Sequence, residues 1–226
     1  ADIIDIGGES TRPGANPLSI DDELKRVIPV ITALRSSTDA CISIDTYKST
    51  VARAALEKDA DMINDISGLT FDPEMVQVAS EFNVPVVIMH IKGTPLNMQT
   101  NPTYGDLMAE LVDYFTKRID FALAGGVKPE NIILDPGIGF GKRFKDNLLI
   151  LKKLAEFKAL RVPLLLGASR KSFINNIYQS SPQEREEATL ATTAIAHQHN
   201  VEIVRVHAVK QNKRLLQTLT AVKEII

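Results

Sequence analysis

Cysteine, surplus charge and long apolar runs are all scarce in this chain, and each scarcity narrows its class. Cys41 stands alone and cannot close an internal disulfide. It lies beside Ile42 and Ile44, where a small buried hydrophobe is the simplest reading, and a reducing compartment, the cytoplasm, is expected. The formal net charge is -2 with no long block of one sign, so neither a nucleic acid nor a membrane surface is an expected partner. No apolar stretch is long enough to span a bilayer, and the N-terminus has no signal-like pattern. The motifs of metal sites are missing as well: there is no His pair at helical spacing, no Cys cluster and no calcium loop. A Mg²⁺ held mainly by substrate phosphates would leave little trace in a sequence. No Gly-x-Ser-x-Gly follows a strand, so a Ser-His-Asp hydrolase is unsupported.

What is present suits one domain over residues 1–226, with hydrophobic residues at 44%. Apolar runs rich in Ile and Val predict strands at Ile3–Ile6, Cys41–Ile44, Met62–Ile66, Val84–Met89, Asn131–Leu134, Val162–Leu166 and Ile203–Val206. Amphipathic stretches alternate with them. Ser19 caps a helix whose face carries Leu24, Val27, Ile28, Ile31 and Leu34, with Pro29 expected to kink it. Asp72-Pro73 starts another before Met75 and Val76, and a longer one runs from Leu107 to a stop at Gly125-Gly126. Further helices are expected over Asn147–Phe157, Glu184–His199 and Asn212–Ile226. Strands apolar on both faces, alternating with helices, indicate a parallel sheet covered by helices. About seven strands is one short of an eight-stranded barrel. Ala1–Ile6 reads as a core strand already under way, so a TIM-type (β/α)8 barrel whose first strand lies upstream accounts for the count better than an open sheet.

The strand ends are polar almost throughout: Asp5, Asp45-Thr46, Asn64-Asp65, His90, Asp135, Ser169-Arg170-Lys171, and Arg205 with His207. In parallel α/β folds that end carries the active site, and a charged mouth explains the pattern better than helix capping alone. Arg205 and His207 are two apart on a strand, face the same way, and could clamp a phosphate or pyrophosphate. His90 is open between a structural and a functional reading. His197 and His199 fall on a helix and take the bland reading of surface residues. The run Gly137-Ile138-Gly139-Phe140-Gly141-Lys142 could cradle phosphate through its N–H groups. It lacks Walker spacing, and a tight loop needing positive φ is the stronger reading.

These residues resemble the dihydropteroate synthase family along the whole chain. The blocks are Asp5 through Gly14 (DIGGESTRPG), Ile44-Asp45-Thr46, Ile63-Asn64-Asp65-Ile66, Met89 through Pro95 (MHIKGTP), Asp135 through Lys142 (DPGIGFGK), Ser169 through Phe173 (SRKSF) and Arg205-Val206-His207. Seven blocks in the right order are highly specific. The resemblance implies condensation of 6-hydroxymethyl-7,8-dihydropterin pyrophosphate with p-aminobenzoate, giving 7,8-dihydropteroate and pyrophosphate. It implies pterin contacts from Asp45, Asn64, Met89, Asp135 and Lys171, and pyrophosphate contacts from Thr11, Arg205 and His207. Arg12, Pro13, Lys171 and Ser172 would border the p-aminobenzoate pocket, with Asp45, Asp135, Lys171 and Arg205 carrying catalysis. Mg²⁺ as cofactor, sulfonamides as inhibitors and a homodimer are implied too. The Asn that contacts the metal in the family belongs to the first strand, so no metal ligand is assigned here. The chain departs from the family at Ala208, where Asp is usual, and at Ala188, where Gly is expected.

A methyltetrahydrofolate–corrinoid methyltransferase domain shares the barrel and the pterin carboxylates, but has no need of a pyrophosphate clamp. An inactive barrel within a larger folate enzyme is the other rival, against which so many charges in one mouth argue.

Overall fold

The apolar, β-branched runs form seven short strands in the computed structural model, which describes residues 1–225. They are β1 (Ile3–Gly7), β2 (Cys41–Asp45), β3 (Met62–Asp65), β4 (Val86–Met89), β5 (Ile132–Asp135), β6 (Leu165–Leu166) and β7 (Ile203–Val204). Every pairing is parallel and follows chain order: β1 to β5 form one sheet, β6 and β7 a second. A bridge between Leu134 and Leu164 joins the two into one arc. Among the described residues, β1 and β7 are its unpaired edges.

Alternation along the strands gives the arc two sides. Ile42, Ile44, Ile63, Val86, Ile88, Ile132 and Leu134 join the large core under the helices. The intervening positions pack on each other instead. Ile3, Cys41, Met62, Val87, Ile133, Leu165 and Ile203, one from each strand, form a separate cluster. In a flat sheet the outermost two of seven strands would lie about 29 Å apart, yet Arg205, just beyond β7, pairs with Asp5 of β1 at 2.5 Å. The strands therefore curl around an apolar plug, as in a barrel. Cys41 packs against that plug as a small hydrophobe, half-buried rather than buried as expected.

Helices α1 (Ile20–Arg35), α2 (Ser49–Leu56), α3 (Met75–Phe82), α4 (Leu107–Ala124), α5 (Phe144–Lys152), α6 (Glu186–Gln198) and α7 (Val209–Lys223) cover the outside. Ser19 caps α1 by accepting from the Asp22 N–H, and α4 stops at Gly125 as expected. Helix α1 continues through Pro29, which lies on its exposed face, where water can take the carbonyl that proline leaves unbonded. The sequence reading named no helix between β2 and β3. Helix α2 is short and alanine-rich, without a side-chain cap of its own; Asp72, from the loop after β3, accepts from its Ser49 N–H at 2.7 Å. The other Asp72 oxygen accepts from the Glu74 N–H at 3.0 Å, so Asp72 also serves the start of α3, where it was expected. Helix α5 begins earlier than expected, because Asp146 bonds back to the Arg143 N–H, and the chain then passes into a 3₁₀ stretch over Leu154–Leu160. Of the expected helix Asn212–Ile226, the last residue lies outside the described residues.

Candidate active site

Two residues beyond the plug, the same alternation brings a second set of residues to the inner face: Asp5, Ser43, Asn64, Met89, Asp135, Gly167 and Arg205. Asp45, two further along β2, stands beside Asn64 in register, as Met89 does beside Asp135. An apolar plug thus carries a polar layer directly above it, at the C-terminal ends of the strands.

Arg205 spans the two edges of the arc. Its Nε donates to Asp5 Oδ2 at 2.5 Å and its Nη2 to Asp45 Oδ2 at 3.0 Å, while Asn64 Nδ2 donates to Asp5 Oδ2 at 3.1 Å. Burial, and then the neighbouring Asp5 carboxylate, push the Asp45 pKa up to about 7 against the pull of Arg205. Burial opposes the charge on Arg205, but Asp5 and Asp45 outweigh it and hold its pKa above the usual value. Asp135 is raised by burial, only partly offset by a 2.7 Å bond from the Gly137 N–H and by the charge of Lys171. Asp5 Oδ1 and Ser43 Oγ, at partner positions on adjacent strands, are buried with no hydrogen-bond partner among the described residues. The layer has polar capacity to spare.

The opposite wall is cationic and apolar. Lys171 lies over the Phe140 ring, 4.1 Å from its centroid, and burial lowers its pKa to about 8 although Asp135 pulls the other way. Phe140 belongs to an apolar cluster with Ile66, Met89, Ile91 and Met98, a floor suited to a flat ring. The glycine run is the tight loop its composition suggested, since Gly137, Gly139 and Gly141 all have positive φ. Its anchor is Lys142, a residue sequence reasoning passed over within the motif. Lys142 is 3% exposed, and its Nζ meets His90 Nδ1 at 2.9 Å, the His90 carbonyl at 3.2 Å and the Phe140 carbonyl at 3.0 Å. Without a carboxylate in direct contact, burial lowers its pKa to about 7. His90 is buried edge-on to Tyr114, and burial and Lys142 hold it neutral.

The expected site residues divide into three groups. Asp45, Asn64, Met89, Asp135, Lys171 and Arg205 gather at the mouth. Arg205 and His207 take different partners: His207 Nδ1 lies 2.9 Å from Ser169 Oγ, while Arg205 turns to the carboxylates. Burial and the charges of Arg170 and Arg205 lower the His207 pKa, so it stands in a cationic field. Thr11, Arg12 and Pro13 ride on the loop after β1, with Arg12 and Pro13 exposed, and Ser172, also exposed, opens a 3₁₀ turn beyond Lys171. Asp65 faces away from the mouth, accepting from the N–H groups of Ser67 and Leu69 to shape its own turn. Ala208 leaves α7 without a side-chain cap, a cost of the departure from Asp. Ala188 is accommodated half-buried against the core. The sequence reading missed Gly167, whose Cβ would stand 3.6 Å from Asp135 Oδ2, and the Arg205–Asp5 pair. Strand alternation carried two residues past Leu165 could have found Gly167; it could not have found a pair whose members lie 200 residues apart.

The model of the pterin binding enzyme family matches residues 1–207. The dihydropteroate synthase of Synechocystis sp. is 50% identical over 222 residues, 98% of this chain and 77% of that protein. The chain belongs to the dihydropteroate synthase family. A crystal structure of the Yersinia pestis dihydropteroate synthase with a sulfonamide drug superposes with a TM-score of 0.97 at 39% identity, over 100% of this chain and 82% of that one. The Xanthomonas albilineans enzyme in complex with 7,8-dihydropteroate gives 0.90 at 34% identity, over 100% and 80%. The arc of parallel strands is therefore the barrel of the dihydropteroate synthases, a TIM-type (β/α)8 fold.

Proposed function

We propose that this chain, as a single barrel domain, joins 6-hydroxymethyl-7,8-dihydropterin pyrophosphate to p-aminobenzoate, releasing 7,8-dihydropteroate and pyrophosphate in folate biosynthesis. The observation that carries the reading is the polar layer above the plug, where buried Asp135 and Asn64, with Asp45 and Lys171, surround an apolar floor. A pterin edge presents an amino group and a ring N–H side by side. Asp135 Oδ1 is engaged by Gly137, and its other oxygen is free for such donors, with Gly167 leaving the space open. Asp45 and Asn64 complete the edge contacts, Lys171 meets the pterin's carbonyl oxygen or ring nitrogen, and Met89 and Phe140 lie against the ring.

Departure of pyrophosphate breaks the methylene C–O bond and leaves positive charge conjugated with the pterin. Arg205, His207 and Thr11 take the anion, and the carboxylates tolerate the cation. The neutral arylamine then forms the C–N bond and gives up its proton to the surroundings. No protein nucleophile is required. Arg12, Pro13, Lys171 and Ser172 border the arylamine, the place where a sulfonamide would compete. Mg²⁺ fits the donors present: Asp5 Oδ1 is a hard oxygen without a partner, and the ion, carried mainly by phosphate oxygens, would neutralise the leaving group. A cytoplasmic homodimer is part of the same reading. Relatives that are dihydropteroate synthases leave the corrinoid methyltransferase reading unsupported.

The test is product formation from the two substrates with Mg²⁺, followed by mass spectrometry, with Lys171→Ala beside the native chain. Dihydropteroate from the native chain alone is the expected result. No product from a folded, full-length protein would favour an inactive barrel.

A further inference from the structure

We propose that Lys48 is a positioning residue, the pin of a buried clasp that shapes the loop after β1 and so sets affinity for the arylamine. The loop runs from Gly8 to Ser19 and is exposed along most of its length. Its base is not. Each of the three N–H donors of the Lys48 ammonium has its own acceptor: Glu9 Oε2 at 2.6 Å, the Leu18 carbonyl at 2.8 Å and Glu23 Oε2 at 2.5 Å. The first acceptor opens the loop, the second closes it and the third belongs to α1. Glu9 doubles the closure by accepting from the Leu18 N–H at 2.8 Å and from Tyr47 Oη at 2.6 Å.

These charges are not surface ion pairs. The side chains of Lys48, Glu9 and Glu23 are 13%, 7% and 1% exposed. Burial works against the ionised forms, yet the hydrogen bonds between them outweigh it, lowering Glu9 and raising Lys48. A buried group of three charges is a poor way to gain stability, because desolvation cancels much of the attraction. It is a good way to fix geometry, since every donor has a single acceptor. The room for it comes from Gly8, where a Cβ would stand 2.9 Å from Glu23 Cγ. Beyond the clasp, the Gly14 N–H donates to the Pro95 carbonyl at 3.0 Å, so the loop tip reaches the segment after β4. Between these two anchors lie Thr11, Arg12 and Pro13.

The proposal rests on the function proposed above, which puts Arg12 and Pro13 beside p-aminobenzoate. Steady-state kinetics of the full-length protein test it. Lys48→Met should raise KM for p-aminobenzoate about tenfold, the loss expected when one charge-assisted contact is misplaced. KM for the pterin pyrophosphate should rise less, by about threefold at most, because Thr11 alone among its contacts rides on this loop. Glu9→Gln, which keeps the shape of the base, should show the same split and carries the test if Lys48→Met does not fold. Equal rises in both KM values, or no rise in either, would overturn the proposal. If the native protein makes no dihydropteroate, the functional reading fails first, and amide exchange judges the clasp alone. Faster exchange over residues 10–18 in Lys48→Met, with α1 and β2 unchanged, supports it; an unchanged loop sinks it.

Discussion

Asp135 and Asp45 are both carboxylates at the mouth, but they differ in what they are bonded to, and the difference yields two predictions. Asp135 gives one oxygen to the Gly137 N–H and has no cation in direct contact. Asp135→Asn keeps that bond and the shape, yet turns the other oxygen into a donor facing a ligand donor. Pterin affinity should fall by a few kcal/mol, roughly a hundredfold or more, in calorimetry with a pterin analogue. The melting temperature should barely move, since loss of a buried charge offsets what is given up. Unchanged affinity with a collapsed melt would make Asp135 structural. Asp45 titrates near neutrality instead, with a pKa of about 7. Because that lies above the unfolded value, its contribution to stability is full below the ordinary carboxylate range and is lost as pH rises through about 7. Binding runs the other way, because the pterin donors need the ionised form. Affinity for a pterin analogue should be about tenfold weaker at pH 6 than at pH 8, as one proton linkage requires. A flat profile in Asp45→Asn would assign the effect to this residue. Both carboxylates were legible at strand ends. That Asp45 shares Arg205 with Asp5 was not, because the three come from strands far apart in the chain.

The glycine run after β5 shows how an element can be read correctly in kind and incompletely in mechanism. Alternating glycines announce positive φ, and all three have it. What the loop is wound around is Lys142 and the His90 carbonyl, from the neighbouring strand end. At Gly137, with φ at +69°, an added Cβ would stand 2.0 Å from the His90 carbonyl oxygen. Gly137→Ala should therefore cost about 3 kcal/mol and lower the melting temperature by about 6–12 °C. A differential scanning melt within 2 °C of native, about the shift for under 1 kcal/mol, would mean the loop can move aside. Helix boundaries were harder to read for a related reason. Helix α2 is capped by Asp72 from another loop, so its own sequence carries no start signal.

Across the molecule, stability should follow position around the arc. The strands β3, β4 and β5 are buried at every residue, while β1 and β7 are half-buried edges among the described residues. Those edges are tied by side chains rather than a ladder, through Arg205–Asp5 at 2.5 Å and Lys213–Asp2 at 2.7 Å. Exposed ion pairs of the second type contribute about 0–1 kcal/mol. Amide exchange of this chain should be slowest in β3 to β5 and fastest in β1 and β7. Uniform protection across all seven strands would show that the edges are held by something more than these pairs. The order of the strands, their parallel sense and the polar character of their ends were all determined by the sequence. Each is a local matter: a run of β-branched residues, a helix too long for a hairpin, a charge where the run stops. Only the tertiary structure decided which charges meet. Curling the arc about its plug brings Arg205 to Asp5 across 200 residues of chain and Lys48 to Glu9 across 39, and no local pattern encodes a contact between residues that far apart.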